Sequence, residues 1–330
     1  MTPALPKKED DSATNSPICA VVVPCFREKQ RIMDVLVGIG PEISMIVVVD
    51  DACPEQTGAH VRDTTADPRV HVLIHDANKG VGGATITGYR HAIKNGASIV
   101  VKVDGDGQMD PNLIPALIAP IADGQADYVK GNRFHDLSGV TEMPTTRLIG
   151  NLALSFLTKA SSGYWSVFDP TNGLTAIHAK AIETLPLDRI DNRFFFESDM
   201  LFRLGLARAV VREIPMKARY GDEQSSLSVV RAGPEFLFKN LRNLARRLGY
   251  SYFLRDFNIA SIELLVGTLL LGFGCLFGIS AWAESLSTGV PATAGTVILA
   301  ALPVMVGVQM ILAFLNHDTQ SMPKDPIHRD

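Results

Sequence analysis

Hydrophobic and polar positions divide the chain into stretches of different period. From Ile18 to Val103, short β-branched runs alternate with helical patterns. Ile18 to Val23, Met45 to Val49, Val70 to Ile74 and Ser98 to Val103 read as strands bounded by turn residues. Glu28 to Ile39, Gln56 to Thr65 and Val81 to Lys94 read as the helices between them. This alternation predicts right-handed βαβ units and an α/β domain with a mostly parallel sheet covered on both faces. Further on, Leu237, Leu241, Leu244 and Leu248 recur at helical spacing, with Lys and Arg on the other faces. That fits a helix lying in a membrane interface, or an ordinary amphipathic helix whose leucines face a core. Ile259 to Trp282 and Thr293 to Leu315 are almost wholly apolar, each approaching the ~20 residues that span a bilayer.

The expected organisation is a disordered tail (1–17), an α/β domain (18–232), an amphipathic juxtamembrane segment (233–258), a transmembrane hairpin (259–282 and 293–315) and a cytoplasmic tail (316–330). Gly267, Gly272, Gly274, Gly278 and Gly307 suit close helix packing in lipid. Lys239, Arg242, Arg246, Arg247 and Arg255 precede the first span, whereas the connecting loop, Ala283 to Ala292, carries only Glu284. Positive charge stays inside, so the large domain should face the cytoplasm from a multi-pass inner membrane protein.

The composition narrows the classes. With 330 residues, 46% of them hydrophobic, and a net charge of −4, the chain can bury a substantial core and has no basic run interleaved with aromatics. Nucleic acid is therefore not an expected partner. Cys19, Cys25, Cys53 and Cys275 show neither metal-knuckle nor disulfide-framework spacing, which points to a reducing compartment. Met1 to Ser16 is polar, with no apolar run of a secretory signal.

The chemistry gathers at the carboxyl ends of the predicted strands, where ligands of such sheets bind. Pro24 to Glu28, Asp50 to Thr57, Asn78 to Gly83 and Asp104 to Asp110 follow the four runs in turn. Asp104 and Asp106 lie two apart, with Gly105 between them and Gln108 two further on. Two carboxylates and an amide carbonyl suit Mg²⁺ or Mn²⁺, completed by substrate phosphates. Asp50 and Asp51 can instead cap the following helix, and the glycines of Asn78 to Gly83 match neither common phosphate-loop spacing.

These residues together resemble a known family. Val22-Val-Pro-Cys-Phe-Arg-Glu28, Val49-Asp-Asp-Ala-Cys-Pro-Glu-Gln-Thr57, Asn78-Lys-Gly-Val-Gly-Gly83, Asp104-Gly-Asp-Gly-Gln108, Gly131-Asn-Arg-Phe134 and Asp169-Pro-Thr-Asn-Gly173 occur in an order similar to family 2 glycosyltransferases of the polyprenyl-phosphate type. The pattern departs at Phe26, Arg27 and Ala52-Cys53, and in Arg219-Tyr-Gly-Asp-Glu-Gln-Ser-Ser226, which lacks the usual late lysine.

The resemblance implies a GT-A fold, a Rossmann-like domain binding a nucleotide diphospho-sugar. In that fold Pro24, Phe26, Glu28, Val49 and Asp51 would line the base and ribose pocket. Asp104, Asp106 and Gln108 would hold Mg²⁺ or Mn²⁺ at the diphosphate, beside Gly105. Arg133 and Arg219 would grip phosphate oxygens, or serve as surface ion pairs. The implied acceptor is an undecaprenyl or dolichyl phosphate, with inversion at the anomeric carbon and Asp106, Asp169 and Asp199 as catalytic candidates. Asp169 would orient the acceptor. Glu197 and Asp199 are rivals for that role, or merely an acidic helix start. A hydroxyl acceptor on a lipid or glycan, a nucleotide-binding membrane protein without catalysis, and a homo-oligomer remain compatible with the same residues.

Overall fold

The computed structural model describes residues 17–135, 145–216 and 229–329. The expected N-terminal tail, nearly all of the His135 to Pro144 loop, and Arg219 lie outside the described residues. The four β-branched runs become strands β1 (Cys19–Cys25), β2 (Met45–Asp50), β3 (Val70–Ile74) and β4 (Ile99–Lys102). Helices α1 (Ile32–Val37), α2 (Thr57–Thr64) and α3 (Val81–Lys94) connect them. These strands pair in parallel, as βαβ crossovers require.

The second half of the sheet departs from that pattern. After α4 (Ile114–Ala122), β5 (Tyr128–Asn132) and α5 (Thr145–Ser162), strand β6 (Thr175–His178) inserts between β4 and β5, antiparallel to both. It is followed by α6 (Ala179–Thr184), α7 (Phe196–Ala207) and β7 (Val211–Pro215), which pairs in parallel with β5 at the edge. The order is β3-β2-β1-β4-β6-β5-β7, so the sheet is mixed and largely parallel. Strand β6 runs backwards because the chain enters it from the carboxyl edge of its neighbours, through Asp169 to Gly173. In consequence Thr175 lies in register with Lys102 on one side and Lys130 on the other. Both faces are packed: Val21, Val48, Val101 and Leu117 build one core, and Val22, Val47, Tyr89, Tyr128 and Met200 the other.

Beyond the sheet come α8 (Val229–Leu248), a π-helical turn (Gly249–Arg255), α9 (Ile259–Thr288) and α10 (Ala294–Gln320). Helix α8 is turned opposite to a core helix. Its inward stripe is Phe236, Asn240, Asn243 and Arg247, whereas Leu237, Leu241 and Phe238, the last 67% exposed, point outward. The inward groups are paired, Asn240 with Ser161 at 2.7 Å and Asn243 with Asp199 at 2.9 Å. Burial in polar company is the physical reason these positions are not leucine.

Helices α9 and α10 are long and apolar enough to cross a membrane, and most of their surface is not covered by protein. They pack on each other through glycines: Gly267 and Gly274 abut Met310 and Val304, and Gly307 meets Leu271. Gly278 meets Ala300, but Gly272 has open space around it and does not belong to the crossing. The helices extend past the expected spans, with Gly289 (φ 69°) ending α9 in the left-handed conformation.

The segment expected as a cytoplasmic tail (316–330) is partly built into the fold. Asp318 accepts both Arg247 guanidinium nitrogens (2.7 and 2.9 Å), the Tyr252 hydroxyl (2.6 Å) and Trp165 Nε1 (2.8 Å). Nine residues on, Ile327 N and His328 N donate to the buried Asp127 carboxylate at 3.0 and 3.1 Å. His328 Nδ1 lies 2.7 Å from the same carboxylate, and its ring stacks on His178 with centroids 4.3 Å apart. Arg247, expected among the cations beside lipid headgroups, is therefore a buried ion-pair partner.

Candidate active site

The carboxyl edge of β1, β2 and β4 gathers the predicted clusters. Pro24 and Val49 are buried and paired in register across β1 and β2. Phe26 is exposed, with the Arg27 guanidinium 5.4 Å from its ring centre. Glu28 is half-buried, and a Cβ on Gly105 would come within 3.5 Å of its Cγ and 3.4 Å of Cys25 Cβ. Gly105 thus lets the Asp104–Asp106 turn lie against the Pro24–Glu28 loop. Gly107 takes φ +75°, a left-handed value that favours glycine. Asp106 Oδ1 accepts from Gln108 N at 2.9 Å, and its carbonyl accepts from Arg31 at 3.2 Å.

The adjacent carboxylates divide the loop work. Asp50 accepts from Cys53 N (2.7 Å) and Gly58 N (2.6 Å), anchoring the turn into α2. Asp51, expected in the base and ribose pocket, is buried and accepts from Lys79 N (2.8 Å) and Gly80 N (2.7 Å), with His75 Nδ1 at 2.7 Å. It clamps the Asn78–Gly80 loop to the sheet and presents no open face to a nucleotide.

Two lysines form the floor. Lys102, 1% exposed, donates to Asp104 Oδ1 (2.7 Å), Glu197 Oε1 (3.2 Å) and Gly173 O (3.3 Å). Burial disfavours its charge, but the Asp104 and Glu197 carboxylates hold its pKa above the ordinary lysine value. Lys130 is also buried and donates to Pro170 O at 2.8 Å. There burial wins, and its pKa falls to about 8 despite nearby Asp169 and Glu213.

Asp169 sits beneath Arg133, which grips it with Nε and Nη2 at 2.8 and 2.9 Å and with its backbone N–H at 3.1 Å. Asp169 is fully buried; burial opposes its charge, yet Arg133 keeps its pKa below the usual value. Arg133 is about one-third exposed, so it presents the pair to the site and Asp169 stands behind it. Glu213 of β7 accepts from Phe168 N and Asp169 N at 3.0 and 2.9 Å, and burial raises its pKa.

Asp199 is elsewhere. It is 2% exposed and accepts from Asn243 (2.9 Å) and Asp191 N (3.0 Å), with Arg203 at 3.5 Å. The carboxylate ties α7 to α8 and has no opening toward a substrate. The site is therefore built around Asp104, Asp106, Arg133 and Glu197, with Asp169 behind Arg133, Asp51 buried in the loop clamp, and Asp199 outside it. Lys102, Lys130 and Glu213 were not singled out from the sequence, and Gly173 only as the end of the Asp169-Pro-Thr-Asn-Gly173 motif. The available signal was a lysine in each of two buried strands, which burial permits only beside carboxylates or other acceptors.

The family profile described as glycosyl transferase family 2 matches residues 20–185, half of the chain. The chain belongs to this family. It is a glycosyltransferase-family enzyme. It is 31% identical over 214 residues to the UDP-N-acetylglucosamine–dolichyl-phosphate N-acetylglucosaminyltransferase of Methanococcus voltae, covering 61% of this chain and 85% of that one. It is 34% identical over 176 residues to the undecaprenyl-phosphate mannosyltransferase of Micrococcus luteus, covering 52% and 71%. Its fold is similar to that of glucosyl-3-phosphoglycerate synthase from Mycobacterium tuberculosis in complex with UDP, with a TM-score of 0.52 and 19% identity over 75% of this chain and 86% of that one.

Proposed function

We propose that this chain has the GT-A fold and transfers a sugar, with inversion, from a nucleotide diphospho-sugar to a polyprenyl phosphate at the cytoplasmic face of a membrane. The observation that carries this reading is the outward apolar face of α8 beside two exposed apolar helices. A core helix would turn Leu237, Phe238 and Leu241 inward, as α8 does with Leu248 at its end; a helix lying in the interface turns them toward lipid. The names of the Methanococcus and Micrococcus relatives support a lipid phosphate as acceptor.

The donor-side residues fit a divalent cation. Among the described residues no three His, Cys, Asp or Glu side chains converge to hold a metal alone. Two partly exposed carboxylates, Asp104 and Asp106, with Gln108 nearby, instead suit Mg²⁺ or Mn²⁺ taking its remaining ligands from a diphosphate. When bound, such an ion stabilises negative charge on the departing nucleotide. Arg133, oriented by Asp169, is the group that would meet phosphate oxygens. A phosphate monoester has a second pKa of ~6 and is largely a dianion at neutral pH, so it needs orientation more than deprotonation. The burial of Asp169 and Asp199 accords with a reaction that has no strong general base.

One observation favours a second reading. Glu197 reaches the floor of the site through Lys102, and a carboxylate there can serve as base for a hydroxyl acceptor on a lipid or glycan. The test is to incubate membranes containing the protein with radiolabelled nucleotide sugars and polyprenyl phosphate, then extract the lipid. The expected product is an acid-labile glycosyl phosphate, lost with Asp106→Asn or EDTA. An acid-stable lipid product would establish the hydroxyl reading instead, and full activity in EDTA would remove the metal.

A further inference from the structure

Lys102 has three acceptors for three ammonium protons, and two of them are carboxylates from distant parts of the chain. One belongs to Asp104, immediately after β4; the other belongs to Glu197, in the first turn of α7. A Cβ on Gly173 would stand 2.7 Å from the lysine nitrogen and 2.5 Å from Asp104 Oδ2, so the cage closes only around glycine. The ammonium is thus fixed against the first carboxylate of the cation pair and cannot swing aside.

We infer that Lys102 is a resident counter-cation that keeps the Asp104–Asp106 site from binding a divalent ion firmly until a nucleoside diphosphate arrives. This rests on the reading of Asp104 and Asp106 as the cation's ligands. The argument is one of charge. Asp104 and Asp106 present two negative charges to a cation, and Glu197 adds a third on the far side of the lysine. The three do not converge as a ligand set, but their combined field draws a divalent ion toward the Asp104–Asp106 turn. The Lys102 ammonium shares the Asp104 carboxylate and repels any cation held by it. A diphosphate restores the deficit with its own negative oxygens. Cation and nucleotide then bind as a pair, and the empty enzyme does not sequester metal. Lys102 is accordingly a positioning residue, acting through the Asp104 carboxylate that it touches.

The experiment measures Mn²⁺ binding by the full chain in detergent, from the electron paramagnetic resonance signal of free Mn²⁺, alone and with UDP or GDP. The wild-type protein should bind Mn²⁺ weakly alone and much more tightly with a nucleoside diphosphate. Lys102→Met combined with Glu197→Gln removes the ammonium and its second carboxylate together, leaving no buried charge unpaired. The double change leaves the net charge of the cluster as it was, but the lost ammonium lies against Asp104 at 2.7 Å whereas the lost Glu197 carboxylate stands behind it. Repulsion therefore falls more than attraction, and this variant should bind Mn²⁺ alone several-fold more tightly. Its dependence on diphosphate should shrink in proportion. Glu197→Gln alone leaves the ammonium less neutralised and should weaken Mn²⁺ binding. Thermal melting establishes that each variant is folded. Unchanged Mn²⁺ affinity in the double variant, with wild-type protein still binding Mn²⁺ through diphosphate, overturns the role of Lys102. Wild-type protein that binds no Mn²⁺ even with UDP or GDP overturns the cation site and this inference together.

Discussion

At Gly173 a methyl group would meet two charged atoms of the site, 2.5 Å from Asp104 Oδ2 and 2.7 Å from Lys102 Nζ. Neither neighbour can yield cheaply, because Lys102 is held by three acceptors inside the sheet. Gly173→Ala should therefore cost about 1–3 kcal/mol of stability, the usual range for overpacking. It should also lower kcat/KM by roughly tenfold or more, since ~1.4 kcal/mol of lost transition-state stabilisation is a factor of ten. Thermal melting and steady-state transfer assays check the two numbers separately. A variant with full activity would mean that Asp104 need not stand where Lys102 holds it. The same crowding explains why the glycine of Asp169-Pro-Thr-Asn-Gly173 is a site residue although it offers no functional group.

Helix α8 separates two kinds of basic residue that look alike along the chain. Arg242 and Arg246 are exposed on α8, whereas Arg247 lies in a fully paired cluster with Asp318. Reversing Arg242 and Arg246 to Glu should lower transfer to bilayer-embedded acceptor more than to a short, water-soluble analogue. Each cation near an anionic surface contributes about 1 kcal/mol. Arg247→Met should instead destabilise the protein by ~3–5 kcal/mol, because Asp318 is left as a buried unpaired charge. Equal losses on both acceptors for the first variant would remove the helix from membrane docking. Strands β1, β2 and β4 were legible because both faces of the sheet are buried there, so runs such as Ala20 to Val23 and Ile46 to Val49 are continuous. Strand β6 was not, since four residues, Thr175–His178, carry no sign of direction. The inward stripe of α8 was also hidden: its leucines mark a period, but which side faces protein depends on partners such as Ser161 and Asp199 in other helices. Of the site, the Asp104–Asp106 pair was legible from spacing, whereas the burial of Asp51, Asp169 and Asp199 depended on contacts across the sheet and between helices.

For the molecule as a whole, the contact between the C-terminal segment and the sheet domain should depend on pH. Burial, and then the neighbouring His328, lower the His178 pKa from 6.5 to about 4, with Lys180 acting in the same direction and Asp127 against it. In the folded protein His178 therefore stays neutral down to about pH 4, while the unfolded or undocked chain takes up a proton below its ordinary value. More protons bind to the undocked form between these values, so the contribution is complete above about 6.5 and is lost as pH falls toward 4. Hydrogen exchange at residues 321–329, corrected for intrinsic rates, should be faster at the acidic end of that window. His178→Phe should remove the difference, and an identical profile in wild type and variant would assign it to another group. The clasp at Asp127 also has a mechanical meaning. The hairpin is fastened at both feet, by the turn before α9 and by Asp318 in the last turn of α10 and His328 beyond it. A handle with one foot lets its load swing; a handle with two sets the height. In the membrane-spanning reading, the catalytic edge cannot dip into the bilayer to collect its substrate, so the acceptor must bring its reactive headgroup up to a fixed level.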